Sequence, residues 1–267
     1  MTLNISELVP AADTLAGRVV LVTGANGGLG EAVVRACAGA GAQVVLIGRR
    51  LPKLTRLYDS LVAGGAPTPA LYPMDLAGAT PDDHQDMAQA LEREFGCLDG
   101  IVHGAAEFKG LVSLENQPLE DWFTGLHVNL TAPFLLTRAC LPLLRKSPDA
   151  RVLFPLDDDD YGRRAFWGSY GIAKQAQRSL IATLRDELAN STVRVHGVQP
   201  GPMRTALRAR AWFGEDASAI PPPQAYAPAI ACLLGAAGAG IDQDIVQLRA
   251  SSTSSGPRAL GLAIFSG

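Results

Sequence analysis

Short apolar runs alternate with helical segments along most of the chain. The apolar runs carry Val, Ile and Leu on consecutive positions, whereas the segments between them space their apolar residues three or four apart. Continuous apolar runs are typical of strands buried on both faces, and the wider spacing is typical of amphipathic helices. The runs that predict strands lie at 18–24, 42–48, 69–76, 98–106, 150–156, 193–201 and 243–250.

The predicted helices lie between these strands, at 30–41, 53–63, 82–96, 118–145, 169–190 and 223–237. Because strand–helix–strand connections are right-handed, this order predicts an α/β fold, a Rossmann-type doubly wound parallel sheet of about seven strands with helices on both faces. Ligands of such sheets bind beyond the carboxyl ends of the strands. The chain has no internal repeat and no clear linker, so we expect one domain over 1–267, with a core at about 17–250 and a turn-rich tail at 251–267.

The composition argues against several classes of function. Hydrophobic residues make up 48% of the 267 positions, enough for a packed core, and the net charge of −3 without a basic block argues against a nucleic-acid partner. No apolar run reaches the roughly 18 residues of a membrane span, and the first residues do not resemble a secretory leader. Because the four cysteines and four histidines are dispersed, we expect a cytoplasmic protein with reduced thiols and no metal site.

A glycine-rich segment, VTGANGGLGEAV, joins the first predicted strand to the first predicted helix. Gly24, Gly28 and Gly30 allow the backbone to turn tightly and to approach a pyrophosphate at the positive end of that helix. An ordinary strand-to-helix turn is the alternative. The position of the segment favours nucleotide binding, with Asn26 and Leu29 in the same turn.

Arg49, followed by Arg50, lies about twenty residues further on, at the end of the second predicted strand. An acidic residue there would accept a hydrogen bond from the ribose of NAD, whereas an arginine suits the 2′-phosphate of NADP. A solvated helix start is the alternative. The arginine therefore favours NADP(H) over NAD(H), while Asp75, at the end of the third strand and before Leu76, either meets the adenine or caps the next turn.

Tyr170 and Lys174 lie four residues apart in the predicted helix 169–190, so their side chains share one face. A free phenol titrates near pH 10, and a nearby ammonium group favours the phenolate and lowers that pKa. The pair therefore suits acid–base chemistry at neutral pH. For an isolated Tyr-x-x-x-Lys sequence, chance spacing is the alternative.

Together, several motifs in order resemble those of the short-chain dehydrogenase/reductase family over about residues 17–250. TGANGGLG is similar to the TGxxxGxG cofactor turn, MDL to the segment that contacts adenine, HVNLTAPF to the segment of the catalytic asparagine, YGIAK to the YxxxK pair and QPGPMRT to the motif beside the nicotinamide. The segments GRAFWGSY and PGPMRTALRA are similar to the bacterial YciK-like branch. The resemblance implies cofactor contacts at Ala105, Pro200 and Gly201, and a catalytic role for Asn129.

This resemblance implies an NADP(H)-dependent oxidoreductase that transfers hydride between the nicotinamide and a small carbonyl or secondary-alcohol substrate. Tyr170 would exchange the proton with the substrate oxygen and Lys174 would hold the nicotinamide ribose. Asn129 would support a water chain through which protons leave. The resemblance also implies a homodimer or homotetramer formed through the helices at about 118–145 and 169–190.

Two positions depart from the family pattern. Asp157 lies thirteen residues before Tyr170, where the family has a serine that donates to the substrate oxygen, and no Ser or Thr occurs between positions 151 and 168. An ionised Asp accepts hydrogen bonds only and repels negative charge on that oxygen, whereas a buried, protonated Asp donates. The second departure is HGAA, which places Gly104 and Ala106 where the family has Asn and Gly.

These departures leave two hypotheses open. The first is an active oxidoreductase in which Asp157 changes substrate scope or protonation, and the second is a catalytically impaired cofactor-binding protein that acts as a sensor or partner subunit. The remaining acidic residues, 158–160, form either a solvated loop or, less simply, a metal-assisted variant. Candidate walls of the substrate pocket are Trp167, Trp212 and Phe213, and the arginines Arg204, Arg208 and Arg210 either meet an acidic substrate or solvate a helix.

Overall fold

Eight parallel strands form one sheet in the computed structural model of the chain, which describes residues 1–159 and 163–250. The order across the sheet is β1-β8-β7-β6-β5-β2-β3-β4. The strands are β1 (Thr2–Asn4), β2 (Val19–Thr23), β3 (Gln43–Gly48), β4 (Ala70–Pro73), β5 (Gly100–Val102), β6 (Ala150–Pro155), β7 (Val193–Gln199) and β8 (Ile245–Arg249). The Rossmann-type parallel sheet predicted from the sequence is confirmed.

Helices cover both faces of this sheet. They are α1 (Gly28–Gly39), α2 (Leu51–Ala63), α3 (Pro81–Phe95), α4 (Leu119–Leu126), α5 (Ala132–Leu144), α6 (Gly168–Glu187), α7 (Ala206–Ala209) and α8 (Ala227–Leu233). Buried residues of α1, α2 and α8 belong to one core cluster, and those of α3, α5 and α6 belong to the other. No helix in the described ranges is both long and apolar enough to cross a membrane.

The central strands are buried along most of their length because both of their faces are covered. In β2, Val20 and Val22 belong to one core cluster, whereas Val19 and Leu21 belong to the other. Successive side chains of a strand point to opposite faces, so a sheet between two helical layers buries all of them.

The strand β1 is an addition to the seven predicted strands. Thr2, Leu3 and Asn4 pair in parallel with Gln247, Leu248 and Arg249 of β8 at the edge of the sheet. A three-residue segment with two polar side chains has no strand pattern of its own. It is extended here because the free edge of β8 supplies its hydrogen-bonding partners.

The predicted helix at 118–145 consists of α4 and α5 joined by a π-helical turn, His127–Thr131. Such wider turns inside α-helices are frequent at functional sites. Asn129 lies in the middle of this turn and is fully buried. The turn therefore positions the asparagine that the family resemblance marks as catalytic.

Candidate active site

A cleft of about 610 Å³ opens beyond the carboxyl ends of the central strands. Gly24 follows β2, Arg49 follows β3, Asp157 lies two residues after β6 and Pro200 follows β7, and all four line the cleft. Strands β2 and β5 are neighbours in the sheet although β3 and β4 separate them in the chain, so the order of the sheet reverses here. This crevice is where doubly wound sheets bind their ligands.

The glycine-rich turn between β2 and α1 is restricted to glycine by its geometry. Gly24 has a φ of +65°, and a Cβ there would lie 2.8 Å from the Cα of Ala105. At Gly30 a Cβ would lie 2.0 Å from the carbonyl oxygen of Gly24. The helix α1 begins at Gly28 without a side-chain cap. Its first amides therefore suit an anion, and the residues of the turn fit a nucleotide pyrophosphate.

Charged side chains lie at the β3–β4 side of the cleft. The Arg49 guanidinium is 56% exposed, and its Nη1 lies 3.9 Å from Oε2 of Glu107, whose side chain is only 12% exposed. Lys109 Nζ lies 3.5 Å from the other carboxylate oxygen of Glu107. Asp75 and Leu76 line the cleft as well, and Asp75 Oδ1 accepts a hydrogen bond of 3.2 Å from the backbone two residues on. Asp75 therefore caps its turn while bordering the cleft.

The hydroxyl of Tyr170, near the start of α6, donates a hydrogen bond to Oδ2 of Asp157, which lies in the loop after β6. Burial of the phenol, the negative charge of Asp157 and this hydrogen bond together raise the pKa of Tyr170 well above its ordinary value. Two charged groups near this hydroxyl act on its pKa in opposite directions. The ammonium of Lys174 lowers the pKa, and the carboxylate of Asp157 raises it. Burial and the carboxylate outweigh the ammonium, so the phenol is protonated at neutral pH.

Lys174 lies one helical turn after Tyr170 and is buried. Its Nζ donates to the backbone oxygen of Pro155 at 2.8 Å and to Oε1 of Gln177 at 3.2 Å, and it lies 5.8 Å from the centre of the Tyr170 ring. Burial lowers the pKa of Lys174, while the charge of Asp157 acts in the opposite direction. The lysine is thus fixed at the floor of the cleft by two acceptors.

Asn129 lies behind the wall of the cleft rather than in it. Its Nδ2 donates to the backbone oxygens of Glu107 at 2.8 Å and Gly125 at 2.7 Å, and its Oδ1 accepts from the Glu107 amide at 3.0 Å. The backbone oxygen of Asn129 accepts from Nε2 of Gln177. Gln177 therefore bridges Lys174 to the π-helical turn, and the side chain of Asn129 anchors the loop after β5.

Aromatic rings surround the end of the cleft where the Tyr170 hydroxyl lies. The ring centres of Phe108 and Trp167 are 5.4 Å apart in a stacked arrangement, and those of Phe108 and Tyr170 are 5.0 Å apart. Trp212 also lines the cleft, whereas Phe213 is 81% exposed and does not. Two of the three aromatic residues that the sequence marks as pocket walls therefore reach it.

Two of the three arginines after β7 line the cleft, Arg208 and Arg210. Arg208 pairs with Glu215 and lies over the ring of Trp212, with 5.1 Å from Cζ to the ring centre. Arg210 donates to the backbone oxygen of Phe108. Both guanidinium groups are therefore held by neighbouring acceptors rather than simply solvating a helix.

The HGAA segment after β5 fits its surroundings despite its departure from the family pattern. A Cβ at Gly104 would lie 2.7 Å from the backbone oxygen of Thr23, so glycine suits this close approach. The Ala105 amide donates to the Thr23 hydroxyl at 3.1 Å. His103 lies 2.9 Å from the hydroxyl of Thr137, and burial lowers the pKa of His103 to about 3. The imidazole is neutral and adds no charge to the cleft.

The acidic residues after Asp157 do not act together. Asp158 lines the cleft, whereas Asp159 pairs with Arg178 at 3.2 Å and with Arg163 at 3.3 Å. Asp160 lies outside the described residues, as does the tail at 251–267. In the part of the chain that is described, no three His, Cys, Asp or Glu side chains form a group able to hold a metal ion.

The predicted site residues divide into two groups by position. Those that line the cleft are Gly24, Asn26, Gly28, Leu29, Arg49, Asp75, Leu76, Ala105, Asp157, Tyr170, Lys174, Pro200 and Gly201. Gly30 and Asn129 lie behind it. The sequence reasoning missed Glu107 and Phe108, although both directly follow a predicted strand, and Gln177, although it shares a helix face with Lys174.

Residues 18–215 match the family model for short chain dehydrogenase. This chain belongs to the short-chain dehydrogenase family. Among curated relatives, the oxidoreductase YciK of Escherichia coli strain K12 is 33% identical over 226 residues, which cover 85% of this chain and 89% of YciK. The predicted likeness to the YciK branch is thereby confirmed, and oxidoreductase chemistry is the activity that the family supports.

Solved structures of family members resemble the whole sheet. A protein from Pseudomonas syringae described as a short chain dehydrogenase is 38% identical with a TM-score of 0.84, and the match covers 90% of this chain and 97% of that one. A short chain dehydrogenase from Escherichia coli CFT073, complexed with NADPH, is 31% identical with a TM-score of 0.85, covering 90% of this chain and 99% of that one.

Proposed function

We propose that this chain is an NADP(H)-dependent oxidoreductase that transfers hydride between the nicotinamide and a carbonyl or secondary-alcohol substrate, with Tyr170 as the acid–base group. The observation that carries the proposal is a single cleft that joins the glycine-restricted turn at Gly24 to the hydroxyl of Tyr170. The turn fits the pyrophosphate of a dinucleotide, and the hydroxyl lies where a reacting group is needed.

The cofactor would be held along the carboxyl ends of β2, β3 and β4. The amides at the start of α1 would bind the pyrophosphate, and Arg49 would bind the 2′-phosphate. The NADPH complex of the Escherichia coli CFT073 relative supports this choice. Asp75 would border the adenine, and Ala105, with the segment at Pro200, would border the nicotinamide.

When bound, the nicotinamide supplies or accepts the hydride. Tyr170 holds its proton at neutral pH, as the acid of the reductive direction must, but its raised pKa makes the phenol a weaker proton donor than a free tyrosine. Lys174 would orient the nicotinamide ribose from the floor of the cleft. To protonate a substrate oxygen, the hydroxyl must leave Asp157 Oδ2, which a protonated Asp157 permits more readily than an ionised one.

A second candidate function is a cofactor-binding protein with little turnover. Its support is the shortage of hydroxyl donors, since among the described residues that line the cleft the hydroxyl side chains are Tyr170, Thr205 and Tyr226. Thr205 caps α7, and Tyr226 donates to the backbone oxygen of Pro202 at 3.1 Å. The Tyr170 hydroxyl is engaged by Asp157. In this reading the chain binds NADP(H) and acts as a sensor or partner subunit.

Nucleotide titration separates these functions. We expect NADPH to quench the tryptophan fluorescence at lower concentration than NADH, and Arg49→Ala to remove that difference. A panel of ketones and aldehydes then tests turnover, with Tyr170→Phe as the matched variant that keeps the ring. Turnover that is lost in Tyr170→Phe supports the oxidoreductase, and NADPH binding without turnover supports the second function. Failure to bind either nucleotide would contradict both.

We also propose that the chain forms a homodimer or homotetramer in the cytoplasm through α4, α5 and α6. Large apolar side chains on these helices are exposed, including Leu119, Phe123, Phe134 and Ile172. Exposed apolar surface on paired helices is typical of a subunit interface. Sedimentation of the wild-type chain beside Phe123→Asp tests this, and a monomer at micromolar concentration would contradict it.

A further inference from the structure

A carboxylate, that of Asp157, lies in the cleft directly beside the hydroxyl of Tyr170. Asp157 Oδ2 accepts the Tyr170 hydroxyl, and no donor among the described residues reaches its Oδ1. An ionised carboxylate accepts hydrogen bonds and attracts positive charge, but it donates nothing. It therefore opposes the negative charge that develops on a carbonyl oxygen during reduction and favours a cationic group in the same place.

The aromatic walls favour the same kind of group. Phe108 and Trp167 line the cleft beside Tyr170, with ring centres 5.0 Å from Phe108 to Tyr170 and 6.0 Å from Trp167 to Tyr170. The faces of aromatic rings attract cations, more strongly in a site shielded from water. A carboxylate next to such rings is a chemically consistent environment for a flat organic cation.

We propose that this cleft also reduces iminium ions, that is, protonated or N-alkylated imines, with Asp157 as their counter-ion. The proposal rests on the proposed NADP(H)-dependent hydride transfer, because reduced nicotinamide is the reductant. Hydride adds with its electron pair to the iminium carbon, the π pair of the C=N bond becomes the lone pair of nitrogen, and the reductant is left as oxidised nicotinamide. The cation becomes a neutral amine and needs no proton, so the engaged hydroxyl of Tyr170 is no obstacle.

Other charged groups around Asp157 also affect how strongly the cleft would favour a cation. From α6, Lys174 brings a positive charge near Asp157, and Arg178 donates to the backbone oxygen of Asp157 at 2.9 Å. From its own segment, Asp158 adds negative charge at the cleft, whereas Asp159 is paired with Arg178 and Arg163. Across the cleft, Arg208 is neutralised by Glu215, whereas Arg210, which donates to the backbone oxygen of Phe108, works against a cation. The contribution of Asp157 therefore has to be measured by substitution.

A permanently charged probe separates the proposal from simple protonation of the substrate. The full chain with NADPH is given an N-methylated cyclic iminium ion and a cyclic ketone of the same ring size. We expect kcat/KM for the iminium to exceed that for the ketone by at least about tenfold, and to fall by at least about tenfold in Asp157→Asn, which removes a close charge and keeps the shape. Asp157→Ser restores a donor and is expected to raise ketone reduction. Asp159→Asn, which removes a charge outside the cleft, is the matched control.

A binding measurement provides a readout that does not depend on turnover. A saturated N,N-dimethyl cyclic ammonium ion cannot be reduced, and we expect it to quench the tryptophan fluorescence of the wild-type chain but to bind at least about tenfold more weakly to Asp157→Asn. A neutral hydrocarbon ring of equal size should show no such difference between the two chains.

The outcomes distinguish this inference from the proposed function. Ketone reduction that exceeds iminium reduction in the wild-type chain and is lost in Tyr170→Phe would overturn the inference and keep the oxidoreductase. Iminium reduction that is unchanged in Asp157→Asn would also overturn the inference. Bound NADPH without reduction of either probe would overturn both. Iminium reduction that depends on Asp157 supports the inference.

Discussion

The hydroxyl of Tyr170 lies between two groups that act on its proton in opposite directions. Lys174 approaches the ring and favours the phenolate, whereas Asp157 accepts the hydroxyl hydrogen and disfavours a second negative charge. Burial of the phenol acts with Asp157, so the pKa of Tyr170 is raised. A spacing of four residues brings the lysine close, but burial and Asp157, two residues after β6, decide the direction in which the pKa of Tyr170 moves.

Replacing Asp157 should therefore lower the pKa of Tyr170. Asp157→Ser removes both the charge and the hydrogen bond that raise this pKa, so the phenolate should form at lower pH than in the wild-type chain. Difference absorbance of phenolate during an alkaline titration measures it, and the same titration of Asp157→Ser with Tyr170→Phe identifies the signal. An unchanged titration curve would show that burial alone sets this pKa.

Gly30 provides a second residue-level prediction. A Cβ at this position would lie 2.0 Å from the Gly24 carbonyl oxygen, so Gly30→Ala must displace the turn that would bind the pyrophosphate. We expect NADPH affinity to fall by at least about tenfold, or about 1.4 kcal/mol. Gly39→Ala is the control, because it lies in the same helix and its added Cβ meets nothing within 4 Å. Equal affinities in the two variants would contradict the cofactor assignment of this turn.

At the scale of elements, α6 is tied to the π-helical turn through one buried side chain. Gln177 accepts from Lys174 Nζ and donates to the backbone oxygen of Asn129, and it is almost fully buried. An amide in this position holds both partners at fixed distances. The floor of the cleft therefore depends on the packing of α6 against the α4–α5 helix.

Removing the Gln177 amide should cost stability and loosen Lys174. Gln177→Met keeps the length of the side chain but leaves a buried carbonyl without its donor, at about 1–3 kcal/mol. Urea unfolding measures the loss. Gln175→Met, which gives up one hydrogen bond of 3.2 Å to the Asp159 backbone oxygen, is the control with a smaller expected effect. A Gln177→Met chain as stable as that control would show that the bridge carries little free energy.

At the scale of the whole molecule, charged residues have different surroundings at the two ends of the sheet. At the carboxyl ends, Asp157 and Arg49 border the cleft. At the amino ends, Asp149 joins β2 to β6, since it pairs with Arg18 at 2.8 Å and with Arg151, a fully buried guanidinium, at 2.8 Å. These amino-end charges stabilise the sheet on the side away from the cleft.

Asp149→Asn should therefore destabilise the fold without changing cofactor affinity. It leaves Arg151 without its counter-ion, and because Asp149 is partly exposed we expect a loss above about 1 kcal/mol but below the roughly 3–5 kcal/mol of a fully buried pair. Thermal unfolding and NADPH titration measure the two effects. A fall in NADPH affinity with unchanged stability would contradict the separation of the two ends.

The pH dependence of this interaction has a definite sign. Burial acts to raise the pKa of Asp149, but hydrogen bonds from Arg18 and Arg151 and their charges outweigh it and hold the pKa below its ordinary value. The interaction therefore stabilises the fold above the pKa of the unfolded carboxyl, about 3.9, and is lost as pH falls through the lower folded value. The difference in stability between the wild-type chain and Asp149→Asn should shrink over that acidic range.

Much of the fold could be predicted because each element carries its own signal. Most of the seven predicted strands carry runs of apolar residues, and the turn at Gly24 combines closely spaced glycines with a strand-to-helix position. The strand β1 could not be predicted, because Thr2–Asn4 is extended only through its pairing with β8. Lys174 and Tyr170 share a helix face in any α-helix, so their proximity was also predictable.

The amino-acid sequence alone specifies the alternation of strands and helices, the glycine turn and the Tyr170–Lys174 pair, since these depend on residues close together in the chain. Only the tertiary structure decides which group holds the Tyr170 proton, which side chain bridges Lys174 to Asn129, and which rings surround the reacting position. Those contacts join residues from different elements. Their distances are set by how helices and loops pack over the ends of the strands, and local sequence patterns do not encode that packing.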